Sequence, residues 1–221
     1  LEAQGHEVVS QKELGITIEP DETGTTFAEN ALIKAETICK VSGLPTNRVF
    51  GMGGALDSAR FRGYLAKALG ASANDVDGMV IGGHGDTTMI PLVSKASYKG
   101  VPVSEFLDEK TLGEIAAATM VGGATLTKML GTSAWYAPGA AAARIVESII
   151  NDEKKVFPSC VHLEGQYGQD DLYIGAPAVI GRNGVEKVIE INLNETEKAA
   201  FAKSAEAVRN TNKILHEIGA L

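Results

Sequence analysis

The chain has 221 residues, 44% of them apolar and 22% charged, the balance of an ordinary water-exposed globular protein large enough for one sizeable domain or two small ones. A net charge of −8 excludes nucleic acid and anionic membrane as natural partners, because neither would meet a basic patch. Two cysteines, Cys39 and Cys160, cannot build a disulfide framework, so a reducing cytoplasm is expected, and no Cys/His cluster has metal-ligand spacing.

In chain order, His6-Glu-Val-Val-Ser10 is expected to form a short strand, and residues 15–24 an acidic loop around Pro20. Thr26-Phe-Ala-Glu29 is a capping box, in which hydroxyl and carboxylate satisfy amide donors at a helix start. Apolar residues at helical spacing follow to Cys39, and Gly43 supplies the stop. The stretch Arg48-Val-Phe-Gly-Met-Gly-Gly54 imitates a dinucleotide fingerprint. It lacks a full strand before it, and Leu56 stands where the third glycine belongs, so no such site is predicted there. Residues 56–69 form a helix with Phe61, Leu65, Ala68 and Leu69 inward and Gly70 as its stop.

Met79-Val-Ile81 is expected to be a buried strand leading to His84, one of four histidines, which stands between glycines in Gly82-Gly-His-Gly-Asp86. Residues 89–93 and 101–103 are expected to be short strands around the Tyr98-Lys-Gly100 turn. Residues 111–130 and 134–151 are long Ala-rich helices, with Pro138 tolerated in the first turn of the second. Strands follow at 156–163, 172–174, 178–180 and 185–193, with Arg182-Asn-Gly184 as a hairpin turn. Asn194-Glu-Thr-Glu197 caps a last helix that turns Phe201, Ala205, Val208, Ile214 and Leu215 inward. Helices segregated from an antiparallel sheet define an α+β domain.

Asp57 and Arg60, three residues apart at a helix start, share one helix face. With His84 they supply an imidazole able to take a hydroxyl proton, a carboxylate to orient it, and a planar fork that grips a carboxylate. Each has a plainer reading: Asp-x-x-Arg pairs usually form surface ion pairs, and a histidine between glycines usually sits in a loop.

Two resemblances refine this reading. Glu22-Thr-Gly-Thr-Thr-Phe-Ala-Glu-Asn-Ala-Leu-Ile-Lys-Ala35 resembles the early helix of Ham1-type inosine/xanthosine triphosphate pyrophosphatases, although neither the Asp-Asp-Ser-Gly motif of that family nor its later nucleotide-binding motifs follow. It implies nucleoside triphosphate hydrolysis, with Asp21 and Glu22 as a weak metal site. The stretches Asn47-Arg-Val-Phe-Gly51, Leu56-Asp-Ser-Ala-Arg-Phe-Arg62, Gly82-Gly-His-Gly-Asp86 and Gly131-Thr-Ser-Ala-Trp-Tyr-Ala-Pro138 resemble the C-terminal, substrate-binding half of the lactate/malate dehydrogenase superfamily. They are most similar to bacterial malate dehydrogenases of the lactate-dehydrogenase-like type.

The resemblance implies that His84 accepts the malate hydroxyl proton, that Asp57 pairs with its ring, and that Arg60 binds a substrate carboxylate. Ser133 or Ala134 would line the substrate pocket. It also implies NAD as cofactor, held in an N-terminal doubly wound domain that these residues do not include, and a homo-oligomer. The expected organisation is therefore a pyrophosphatase-like fragment over 1–46 and a dehydrogenase C-terminal domain over 47–221. Its activity would be impaired in isolation. The alternatives are a non-catalytic remnant or oligomerising domain and, more weakly, a pyrophosphatase.

Overall fold

The structure, a computed structural model, describes residues 42–217 together with residues 5, 7, 9, 10 and 12–17. The expected strand at 6–10, the capping box and helix of residues 26–41, and the acidic pair Asp21 and Glu22 lie wholly or partly outside the described residues.

Helix α1 (Gly53–Leu69) ends at Gly70, whose φ of 63° is left-handed and whose N–H closes back on the carbonyls of Ala66 and Lys67. Phe61 and Leu65 are fully buried on its inner face. Ala66, not Ala68, completes that face, and Ala68 is exposed. A two-residue strand β1 (Val76–Asp77) follows, then β2 (Val80–Gly82) and β3 (Met89–Pro91). Pro91 begins the exit from the third strand two residues earlier than the apolar run suggests.

The hairpin of β4 (Ser97–Tyr98) and β5 (Val101–Pro102) turns on Lys99 and Gly100, with φ of 51° and 84°. Positive φ at both central residues twists a two-residue loop to match its strands. Helix α2 (Glu109–Leu130) starts at Asp108, whose carboxylate accepts the Thr111 N–H at 2.7 Å. That bond holds the Asp108 carboxyl below its ordinary range. Helix α3 (Tyr136–Ile150) carries Pro138 in its first turn, where no intrahelical donor is needed.

The rest is a meander of β6 (Lys155–Glu164), β7 (Asp170–Gly181) and β8 (Gly184–Val188), closed by helix α4 (Glu195–Glu217). The capping box of α4 is formed: Asn194 Oδ1 accepts the Glu197 N–H, and Glu197 Oε2 accepts the Asn194 N–H, each at 2.9 Å. Phe201 and Ala205 are buried and Val208 is half-buried, whereas the side chains of Ile214 and Leu215 lie outside the described residues.

Two expected strands, 172–174 and 178–180, are one continuous strand. Gly175 and Pro177 looked like breakers, but Pro177 sits opposite Pro158 of β6. Opposite residues in an antiparallel pair either exchange both hydrogen bonds or neither. Two facing prolines occupy a rung that asks for no donor. Two rungs on, Cys160 exchanges both its backbone bonds with Gly51 on the other side, which confirms the phase. The strand expected to run to Leu193 stops at Val188, where the pairing of β8 with β7 ends.

β7 is the centre of a five-stranded antiparallel sheet, flanked by β6 on one side and by β2 and β8 on the other, with β3 beyond β2. β2 lies between two apolar cores. Ile81 packs with Leu163, Ile174, Ile180 and Phe201, while Val80 packs with Phe61, Leu65, Met89 and Ile115. Alternating residues of a strand face opposite sides, so a three-residue strand anchored on both faces fixes the direction in which the chain leaves it. What leaves it is Gly83 and His84. The helices on antiparallel sheets make the α+β class expected from the sequence.

Candidate active site

Asp57 lies in the second turn of α1 with its side chain 2% exposed. Its two carboxylate oxygens are divided between two partners. Oδ2 is 2.5 Å from His84 Nδ1, and Oδ1 accepts from the Arg60 guanidinium at 3.0 Å. The His84 and Arg60 side chains retain 32% and 17% of their exposure. A buried carboxylate thus holds two groups that each reach outward. The Nδ1 contact directs the opposite ring nitrogen, Nε2, away from Asp57, which is where a reacting proton can be exchanged.

Glycines make this arrangement possible. A Cβ on Gly53 would stand 2.6 Å from the His84 Cγ, so the first turn of α1 must be bare for the ring to lie against it. Gly122, in the middle of α2, is where the Arg60 stem crosses, and a Cβ there would overlap Arg60 Cδ. Gly82 has φ of 84°, and its Cβ position is filled by the Thr88 carbonyl oxygen, with Ser204 Oγ 3.0 Å away. Each glycine is a close approach to a site residue or its support.

Hydroxyl groups hold the frame. Ser58 Oγ donates to the Gly54 carbonyl at 2.7 Å and accepts the Val80 N–H at 2.8 Å, tying α1 to β2. Ser204 Oγ, on α4, accepts the Gly83 N–H and donates to the Thr88 carbonyl, both at 2.9 Å. Thr88 Oγ1 accepts the Gly85 N–H at 3.1 Å. None of these hydroxyls was marked from the sequence. The paired glycines Gly82 and Gly83 are the one local signal that could have pointed to them, and they do not reveal a partner some 120 residues away.

Beside Asp57 and His84 lies a cavity of about 200 Å³, bounded by Gly53, Gly83, Cys160, Tyr173 and Val208. It is small for a drug-like ligand and suits a compact organic molecule. A larger groove of about 720 Å³ runs along Ala55, Arg62, Lys95, Ala140 and Phe157 and does not include His84. Chemistry rather than size selects the smaller one. Ser133 and Ala134 do not join this cavity: they sit in the loop between α2 and α3, Ser133 exposed and Ala134 half-buried. Arg60 also lies outside the cavity lining, turned toward α2 while it holds Asp57. Among the described residues no group of three or more His, Cys, Asp or Glu side chains converges to hold a metal, and no helix is long and apolar enough to cross a membrane.

The α+β fold places a carboxylate-oriented histidine and an adjacent arginine beside one cavity. Residues 54–217 match the lactate/malate dehydrogenase, alpha/beta C-terminal domain, and the chain belongs to that family. It is 64% identical over 182 residues to malate dehydrogenase of Bacteroides thetaiotaomicron, covering 82% of this chain and 58% of that protein. Malate dehydrogenase of Cytophaga hutchinsonii is 46% identical over 210 residues, covering 91% of this chain and 67% of its own length. The chain thus spans little more than half of the first of these relatives.

Among solved structures, malate dehydrogenase of Salinibacter ruber superposes with a TM-score of 0.80 at 42% identity, covering 85% of this chain and 62% of that one. Lactate dehydrogenase of Eimeria maxima, with NADH and oxamate, gives 0.81 at 35% identity, covering 84% and 60%.

Proposed function

We propose that the chain provides the proton-transfer and carboxylate-binding half of a malate dehydrogenase, interconverting malate and oxaloacetate with NAD. The observation that carries this reading is the Asp57 carboxylate shared between His84 and Arg60 beside the cavity, and the malate dehydrogenase relatives support the choice of a small dicarboxylate. A bound NAD would supply the hydride acceptor for the carbon that bears the hydroxyl. His84 takes the hydroxyl proton at Nε2 as that hydride leaves, and returns it in the reverse direction. Asp57 steadies the charged ring and fixes its orientation. Arg60 lies outside the cavity lining but is bonded to Asp57 at its edge, and in this reading its remaining N–H groups would take a substrate carboxylate, for which the guanidinium fork is suited. Ser133 and Ala134 serve in this reading as substrate contacts from the α2–α3 loop.

The described residues do not fit the whole cofactor. The glycines of residues 51–54 follow a 3-10 turn at Thr46–Arg48 and a single bridge to Cys160, not the strand that a pyrophosphate-binding turn requires. No cofactor-binding residue is assigned. Accordingly, these 221 residues alone are expected to reduce oxaloacetate with NADH at or near background, since positioning of the hydride acceptor supplies several kcal/mol of the barrier. A spectrophotometric NADH assay on the purified chain checks this. Turnover abolished by His84→Asn would show the chain competent by itself, and turnover that survives the substitution would remove His84 from the mechanism.

The division of the chain at residue 46 belongs to the same reading. The family match begins at residue 54, while the C. hutchinsonii alignment, covering 91% of the chain, takes in part of residues 1–46. A pyrophosphatase-like role for that stretch has the sequence pattern alone in its support. Self-association is also part of the proposal: Met129, Leu130, Trp135 and Tyr136 at the α2–α3 end are 77%, 57%, 63% and 84% exposed. A cluster of large apolar side chains on one surface favours pairing with a second copy. Light scattering at micromolar concentration is expected to give at least twice the 23.1 kDa chain mass, and a monomer would reject it.

A further inference from the structure

We infer that Ser204, on the C-terminal helix and remote in sequence from every site motif, is a positioning residue that sets the place of His84. The inference rests on the proposed role of His84 in proton transfer. Ser204 is 2% exposed, and its single hydroxyl bridges the backbone on both sides of the histidine: it accepts the Gly83 N–H and donates to the Thr88 carbonyl, each at 2.9 Å.

After His84 the turn is closed by Thr88, whose N–H bonds the Gly85 carbonyl and whose Oγ1 accepts the Gly85 N–H, but before it the Gly83 amide is held by Ser204. The turn leaves a three-residue strand, it is glycine on both sides of the histidine, and glycine gains the most conformational freedom when a restraint is removed. The Asp57 contact at 2.5 Å tolerates little drift, because a hydrogen bond weakens steeply once its length or angle departs from the optimum. Thr88 and Ser204 together account for the bareness of the motif, Thr88 being the nearer at both glycines. A Cβ on Gly82 would come 3.0 Å from its Oγ, and one on Gly83 would come 2.5 Å from Thr88 Oγ1. The two glycines before His84 make room for hydroxyls that fix the turn. α4 therefore acts on the site through this one hydroxyl as well as through the packing of Phe201 and Ala205.

Ser148 offers a matched control. It is fully buried, donates to the Ile180 carbonyl at 2.8 Å and accepts the Lys155 N–H at 3.4 Å, yet it belongs to α3 and makes no hydrogen bond to the His84 turn. The test is nitrogen-15 NMR on the whole 221-residue chain, reading the exchange rate of the Gly83 amide and the ring-nitrogen resonances of His84. Ser204→Ala is expected to speed Gly83 exchange at least tenfold and to move or broaden the His84 Nδ1 signal, whereas Ser148→Ala leaves both as they are. Ser204→Cys, close in size but a weak hydrogen-bonding group, is expected to do the same and covers the case in which the alanine variant does not fold. Unchanged Gly83 exchange in the folded Ser204 variants, or an equal response to Ser148→Ala, overturns the inference. Neither reading requires turnover, so a chain that fails as a dehydrogenase leaves this test intact.

Discussion

Asp57→Ala is expected to lower the unfolding free energy by about 2–4 kcal/mol and to release His84 and Arg60 together. Removing one partner of a fully buried ion pair costs about 3–5 kcal/mol, because the charge left behind has lost both its partner and its water. Here the figure is reduced, since the Arg60 and His84 side chains keep 17% and 32% of their exposure and recover some hydration. Asp57 itself sits in the second turn of α1 at 2% exposure, so alanine also leaves a small void that the helix cannot close. Asp57→Asn separates the two contributions. It fills the same volume and still accepts from Arg60, but it carries no charge, so its cost is expected to be the smaller. Urea unfolding midpoints at an unchanged slope measure both. A change below about 0.5 kcal/mol for the alanine variant, the size of a neutral surface substitution, would mean that the carboxylate organises nothing.

The fold class was legible in the sequence, and so was the placing of Asp57 beside Arg60, whereas the strand boundaries were not. Asp57 and Arg60 were readable because helical spacing alone places i and i+3 on one face, and the structure joins them at 3.0 Å. That His84 meets the same carboxylate was expected from the motif resemblance, since no local rule brings together residues 27 apart. The strand boundaries failed where partners decide them. Pro177 reads as a breaker until Pro158 is seen opposite, and the strand at 185–193 reads as continuous until its pairing ends at Val188. Ala68 reads as inward from apolarity alone, although an alanine is cheap to expose and Ala66 already fills the inner face. The serine supports were invisible for a different reason. A hydroxyl in a helix has many uses, and only the distant backbone it meets shows which applies.

Gly51, Gly53 and Gly54 look like the pair Gly82 and Gly83 in sequence, as bare turns. In the structure Gly53, Gly82 and Gly83 are bare for close packing, one to admit the His84 ring and the others to admit the Thr88 and Ser204 oxygens. Ser133 and Ala134, expected as substrate contacts from the resemblance, lie in the α2–α3 loop outside the cavity beside His84.

The account stands on His84 as the group that carries the proton, and one comparison of rates tests it. The 182-residue stretch shared with the B. thetaiotaomicron relative at 64% identity can be exchanged into that protein, which supplies the remainder of its own length. Oxaloacetate reduction by the hybrid is then compared with that of the same hybrid bearing His84→Asn. A positioned general acid or base contributes about 10²–10⁴-fold, and kcat/KM is expected to fall by that factor while the hybrid remains folded. A folded hybrid without turnover, or one whose turnover is indifferent to the asparagine, would contradict the assignment.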